Sequence, residues 1–236
     1  MNYIKRFYTI LPLFLIILLD VLGICLVFPI FTPLFFDPTN GLLNDIPINQ
    51  QSYYYGLALA VYPIFMFFGA PLFGDLSDKY GRKKILLFCL LGTTVGYQVS
   101  VLGIDEDSLW ILLAGRAICG FCAGSQPIAQ AAIADVSTPI NKAINLSFVT
   151  MAAALGAIIG PMIGGITSDS QIHARFSFAT PFTIGALFSL ANAFLLIFFF
   201  HETMQPNKSL KIKLHKGLHL FIDAFRKKVP MLLANG

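Results

Sequence analysis

The chain has 236 residues, is 56% hydrophobic and only 12% charged, and carries a net charge of +4. A soluble domain carries about 25% charged residues, so this composition excludes an ordinary soluble fold and points to helices that cross a bilayer. It also argues against nucleic acid as partner, because the basic residues sit beside apolar spans, and against a β-barrel, because the apolar runs do not alternate.

Hydropathy predicts six spans, at residues 10–35, 53–73, 85–104, 109–134, 143–167 and 178–200. Each approaches the roughly twenty residues that cross about 30 Å of hydrocarbon. The first run is not expected to be a cleaved signal peptide. It is too long, contains Asp20 and lacks a small-residue cleavage site.

Lys and Arg fall almost entirely on one side of these spans. That side holds Lys5 and Arg6, the group Lys79, Arg82, Lys83 and Lys84, then Lys142, then all those after Phe200. Only Arg175 lies in the alternate loops, which are otherwise acidic, as in Asp105-Glu106-Asp107. The asymmetry predicts both termini in the cytoplasm. Residues 1–205 are expected to form the helical bundle. Residues 206–236 are expected to form a basic cytoplasmic linker with an amphipathic helix, ending before a seventh span. A weak internal repeat relates Gly74, Ser77 and Asp78 to Gly165, Ser168 and Asp169, each after the second span of a three-span set.

Asp20 lies about ten residues into the first span, so about 15 Å deep. A charge there costs at least about 2.5 kcal/mol and normally faces a cavity or a partner. One reading is a structural, hydrogen-bonded aspartate; the other is a carboxylate that couples proton movement to transport. Arg116, within span four, is the obvious cation for it. The two are expected to form either a switchable ion pair or a static one that orients two helices. Gln126 and Gln98 are polar candidates for the same cavity.

Gly156, Gly160 and Gly164 fall four apart in span five and make a small-residue face, with Pro161 favouring a kink. That face is expected to receive a partner helix, on this chain or on a part of the protein outside it. Gly120 and Gly124 form a shorter small face in span four. Pro29, Pro33 and Pro127 are expected to kink spans one and four. Cys119 and Cys122 make a CxxC within a span, where cysteine acts as a small apolar residue rather than a redox centre. His201-Glu202 is not part of an HExxH. No metal site, cofactor or membrane enzyme finds support.

The most charged stretch is GDLSDKYGRKK, 74–84, expected as a short cytoplasmic turn between spans two and three. It resembles the loop signature of the major facilitator superfamily, with Gly74, Asp78, Gly81, Arg82 and Lys83 on the key positions. LDVLGICLVFP, 19–29, GRAICGFCAG, 115–124, and GAIIGPMIGG, 156–165, resemble the motifs of the drug–proton antiporters near the tetracycline exporters. TPF at 180–182 and HET at 201–203 resemble the start and end of that family's span six. The resemblance covers about residues 10–205.

It implies an all-α membrane fold, the N-terminal six-helix half of a major facilitator with a 3+3 inverted repeat. It implies proton-coupled efflux of a small organic molecule, with substrate, protons and the bilayer as partners. Asp20 and Arg116, with Gln126, would couple protons and line the cavity. Gly74, Asp78, Gly81, Arg82 and Lys83 would form a cytoplasmic latch, and Gly156, Gly160, Pro161, Gly164 and Gly165 the antiporter motif. The missing C-terminal half, or a second copy, would complete the protein. The alternative is a truncated or split chain without transport of its own, a scaffold, a regulator or inert. The exporters' span-three aspartate is matched here by Gly96, which weakens a metal–tetracycline substrate.

Overall fold

A computed structural model describes residues 3–38, 41–44 and 46–203, with side chains from residue 13 onward. The expected linker at 206–236 lies outside the described residues. Among these there are eight helices: α1 (Tyr3–Cys25), α2 (Phe28–Phe36), α3 (Ile48–Tyr80), α4 (Arg82–Asp105), α5 (Leu109–Cys122), α6 (Ser125–Val136), α7 (Lys142–Ser168) and α8 (Thr180–Phe199). They make six segments long and apolar enough to cross a membrane. Span one is α1 with α2, and span four is α5 with α6.

The two divided spans break at corresponding places. Span one is interrupted at Leu26–Val27 and span four at Ala123–Gly124. Pro29 and Pro127 sit in the first turn after each break, where a missing N–H costs no helical bond. Irregular backbone at membrane depth is tolerated only where protein covers it. Leu26, Val27, Ala123 and Gly124 are all buried. Pro161, by contrast, is accommodated within a continuous α7.

Glycines set the closest helix contacts. Gly96 of α4 lies against the backbone of Gly115 and Cys119 of α5, and a β-carbon added at Gly96 would come within 2.9 Å of both. An aspartate side chain has no room there, so Gly96 is a packing position. Tyr97, next to it, is buried between Gly23 of α1 and Gly185 of α8. These contacts bind α4 to α5, α1 and α8.

The span-five glycine face finds its partner helix within the chain. Gly156 packs on Leu18 and Leu22 of α1, Gly160 on Leu22 and Cys25, and Gly164 on the carbonyl of Leu26. The sequence shows that the face is small; it does not show that α1 lies against it. Gly165, one position on, faces open space.

The weak repeat has a structural counterpart. At the end of α3 the Ser77 hydroxyl donates to the Gly74 carbonyl at 2.7 Å. At the end of α7 the Ser168 hydroxyl donates to the Gly165 carbonyl at 3.0 Å. Spans two and five are also the least enclosed of the six. Spans one and four are both broken, and α4 packs on α8. The three-span halves therefore correspond element by element, as in inverted-repeat transporters.

Replacing Gly164 with Val forces the α1 and α7 backbones apart, an overpacking cost of about 1–3 kcal/mol or more. Thermal unfolding of the purified chain in detergent should show a clear fall in midpoint for Gly164→Val and little change for Gly165→Val. Equal effects would mean the contact face is misassigned.

Candidate functional site

Asp20 sits on α1 about one and a half turns before the break in span one. It is 8% exposed, and its Oδ2 accepts a 2.7 Å hydrogen bond from the Ser125 hydroxyl. Ser125 is fully buried and is the first residue of α6. The break at Ala123–Gly124 thus starts a new helix whose first side chain meets the carboxylate. A bond from a hydroxyl to an ionised acceptor is worth about 1.5–3 kcal/mol. That is of the same order as the minimum cost of placing the charge at this depth.

Arg116 is 3% exposed but does not pair with Asp20, which corrects the expected ion pair. Its guanidinium lies between two aromatic faces, 5.3 Å from the Phe31 ring centre and 4.8 Å from that of Tyr62. Its Nε and Nη1 have no hydrogen-bond partner among the described residues. Cation–π contacts offset about 2 kcal/mol each when desolvated, less than the several kcal/mol that burying a charge costs. The reason for the mismatch is the path of span four. Arg116 is on α5, before the break, and Ser125 after it claims the carboxylate. Gln126, the next residue, is half-buried, while Gln98 is exposed.

The other charged cluster gathers at the basic end. The turn expected within GDLSDKYGRKK is shorter than the stretch itself. α3 runs through to Tyr80, α4 starts at Arg82, and the whole turn is Gly81 at φ +102°. That φ favours glycine. The Arg82 side chain is the centre of the cluster. Its Nη1 pairs with Asp78 at 2.7 Å and donates to the Ser77 hydroxyl at 2.6 Å. Its Nε pairs with Asp135, near the end of α6, at 3.2 Å. Charge-assisted bonds of this kind are stronger than neutral ones. Gly74, one turn earlier on α3, has nothing within 4 Å of an added β-carbon.

Glu202, three residues beyond α8, and Lys83 of α4 close this end. Glu202 accepts from the backbone N–H of Arg82 at 3.0 Å and of Lys83 at 3.2 Å. It therefore caps the first turn of α4, whose amides have no partner within their own helix. In the reverse sense Lys83 Nζ donates to the Ile197 carbonyl in the last turn of α8, at 2.9 Å. Ser125, Phe31, Tyr62, Asp135 and Glu202 were not among the expected site residues. Only Glu202 lay in a stretch that resembled a family motif.

At the opposite end, a cleft of about 730 Å³ is lined in part by Asp37, Asp105, Asp107 and Asp169. Charge thus separates along the bundle, basic at one end and acidic at the other.

The Major Facilitator Superfamily profile matches residues 13–235. The chain is 35% identical over 201 residues to the tetracycline resistance protein, class H, of Pasteurella multocida, covering 84% of this chain and 45% of that protein. It is 32% identical over 185 residues to the multidrug resistance protein MdtG of Proteus mirabilis (strain HI4320), covering 78% and 42%. Among solved structures it superposes on the human organic anion transporter MFSD10 (TETRAN) with a TM-score of 0.69 at 23% identity, covering 89% of this chain and 52% of that one. The chain spans about half the length of the curated relatives it matches.

Removing the Glu202 carboxylate should cost about 1 kcal/mol, the usual scale of a lost cap. Hydrogen–deuterium exchange should then show faster exchange at the Arg82 and Lys83 amides in Glu202→Ala, with little change in α5. Unchanged protection at those two amides would remove the capping role.

Proposed function

The chain belongs to the Major Facilitator Superfamily, and from that premise we propose that it carries the N-terminal half of a proton-coupled exporter of small organic molecules, working by alternating access. Transport is the coarse statement that family membership supports. Efflux is supported by the tetracycline and multidrug resistance proteins among the relatives. Proton coupling is carried by one observation: Asp20 is buried in a span and tied to a neutral hydroxyl rather than to a fixed cation.

In this proposal Asp20 takes up and releases the proton. The guanidinium of Arg116 supplies positive charge on the facing helix, and Gln126 a polar contact near the break. Arg82, Asp78 and Asp135 form the latch that opens and closes in each cycle, with Gly81 as its turn and Lys83 and Glu202 tying it to α8. Gly74, open on its outer side, leaves room for an element of a second half. Gly156, Gly160 and Gly164 hold α7 along α1, which narrows any leak between spans one and five, and Pro161 and Gly165 belong to the same antiporter motif on α7. The basic end faces the cytoplasm of a bacterial inner membrane, in keeping with the positive-inside rule.

The alternative is a chain that inserts but supports no transport, acting as a scaffold or regulator or remaining inert. Expressing the chain alone and with the C-terminal half of a relative separates the two. Flux restored by the partner half supports the transporter reading, and no flux in either case supports the alternative.

Asp20→Asn should abolish proton-driven efflux from inverted membrane vesicles while the protein still inserts. Full efflux in that variant would refute the assignment. Asp78→Asn should slow turnover with little loss of equilibrium substrate binding; an unaltered rate would count against the latch.

A further inference from the structure

The two charged clusters are joined by a single element. α6 is 12 residues long, so about 18 Å from end to end. Its first residue, Ser125, holds Asp20 at 2.7 Å. Its penultimate residue, Asp135, holds Arg82 at 3.2 Å. Between them Ile128, Ala129, Ala132 and Ile133 are fully buried in one cluster with Leu13, Ile16 and Ile17 of α1 and Leu86 and Leu90 of α4. One end of α6 is free of helical continuity, because the break at Ala123–Gly124 separates it from α5. A short, packed helix released at one end shifts as a unit, since close-packed interiors move in discrete steps rather than by local yielding.

We propose that α6 is a rigid link between the proton site and the latch. Ser125 ties its one end to Asp20, and Asp135 ties its other end to the Arg82 ion pairs. Both are positioning residues. When Asp20 is ionised, the Ser125 hydroxyl is bound to it and α6 is seated, with Asp135 against Arg82. When Asp20 takes up a proton, a charge-assisted bond becomes a neutral one of about half the strength, and α6 is free to shift. The Asp135–Arg82 contact lengthens, and the latch loses one of its two carboxylates. Linkage makes this reciprocal: breaking the latch must alter the protonation of Asp20. The inference rests on the reading of Asp20 as the carboxylate that exchanges protons.

The other charged and titratable groups around Asp20 belong to different helices. Tyr62 of α3, Cys89 and Tyr97 of α4, and Cys119 of α5 lie within electrostatic reach of it. Arg116 reaches both Tyr62 and Tyr97. None of these is on α6 or touches Asp135 in the described hydrogen bonds and ion pairs, so they do not provide the connection.

The test measures Asp20 chemically and needs no flux. The hydrophobic probe N,N′-dicyclohexylcarbodiimide reacts with protonated carboxyl groups, and mass spectrometry of the purified chain in detergent gives its rate of attachment at Asp20 at fixed pH. A hydroxyl donor favours the ionised carboxylate, so Ser125→Ala should raise the rate by about tenfold, while Ser125→Thr keeps it near that of the unmodified chain. Asp135→Asn, at the far end of α6, should change the rate by about threefold or more. Arg82→Gln, which removes the same contact from the other side, should change it in the same direction. In Ser125→Ala neither latch variant should have a further effect. The inference is overturned if Asp135→Asn and Arg82→Gln leave labelling of Asp20 unchanged. It is equally overturned if their effects are as large without Ser125 as with it. Proton-driven efflux persisting in Asp20→Asn would instead remove the coupling role of Asp20, and the labelling pattern across the Ser125, Asp135 and Arg82 variants would still report whether α6 connects the two ends.

Discussion

Hydrocarbon offers no hydrogen bonds, so a charge or a broken helix within it has to be satisfied by the protein itself. This chain contains both, and span four brings them together. The Ser125 hydroxyl serves the Asp20 carboxylate from the first residue after the break in span four, and the break in span one follows about six residues beyond Asp20. Without the break, span four would continue as one helix through Arg116 and Ser125. With it, Arg116 turns to the rings of Phe31 and Tyr62 while Ser125 turns to Asp20. The division of span four therefore decides which group the carboxylate meets. A neutral hydroxyl there leaves the carboxylate able to exchange a proton, whereas a guanidinium would hold it charged.

The basic end of the bundle is held by charge-assisted contacts instead. Arg82 collects two carboxylates and a hydroxyl from α3 and α6 in a partly wet setting. Glu202 and Lys83 lock the start of α4 to the end of α8. Glycines do the remaining work of bringing backbones together, α7 on α1 and α5 on α4. The matched serine turns at the ends of α3 and α7, and the matched breaks in spans one and four, show the same three-helix design used twice.

Much of this architecture was legible in the sequence because water and lipid sort residues by simple rules. Apolar length gave the six spans, the Lys and Arg asymmetry gave their alternation, and the depth of Asp20 and Arg116 singled them out. What could not be read was which surfaces meet. The span-five glycines announced a close contact, yet nothing local says that Leu18, Leu22 and Leu26 fill it. Ser125 is one hydroxyl among several in the spans, and its value depends on a residue 105 positions away. Asp135 and Glu202 look like ordinary polar ends of helices until the Gly81 turn brings Arg82 to them. The composition of the stretch at 74–84 predicts a short turn but does not show that the turn is a single residue. Ser77, Asp78 and Arg82 remain helical because their side chains bond within that turn and to α6, which leaves Gly81 alone to reverse the chain.

The central claim is that Asp20 exchanges a proton. The most direct measurement is infrared difference spectroscopy of the purified chain in lipid as pH is stepped, following the carbonyl stretch of protonated carboxyl groups. The account predicts a band that rises as pH falls, is absent in Asp20→Asn and shifts in frequency in Ser125→Ala, because its hydrogen bond has changed. A band that does not titrate, or that persists unchanged in Asp20→Asn, would contradict it.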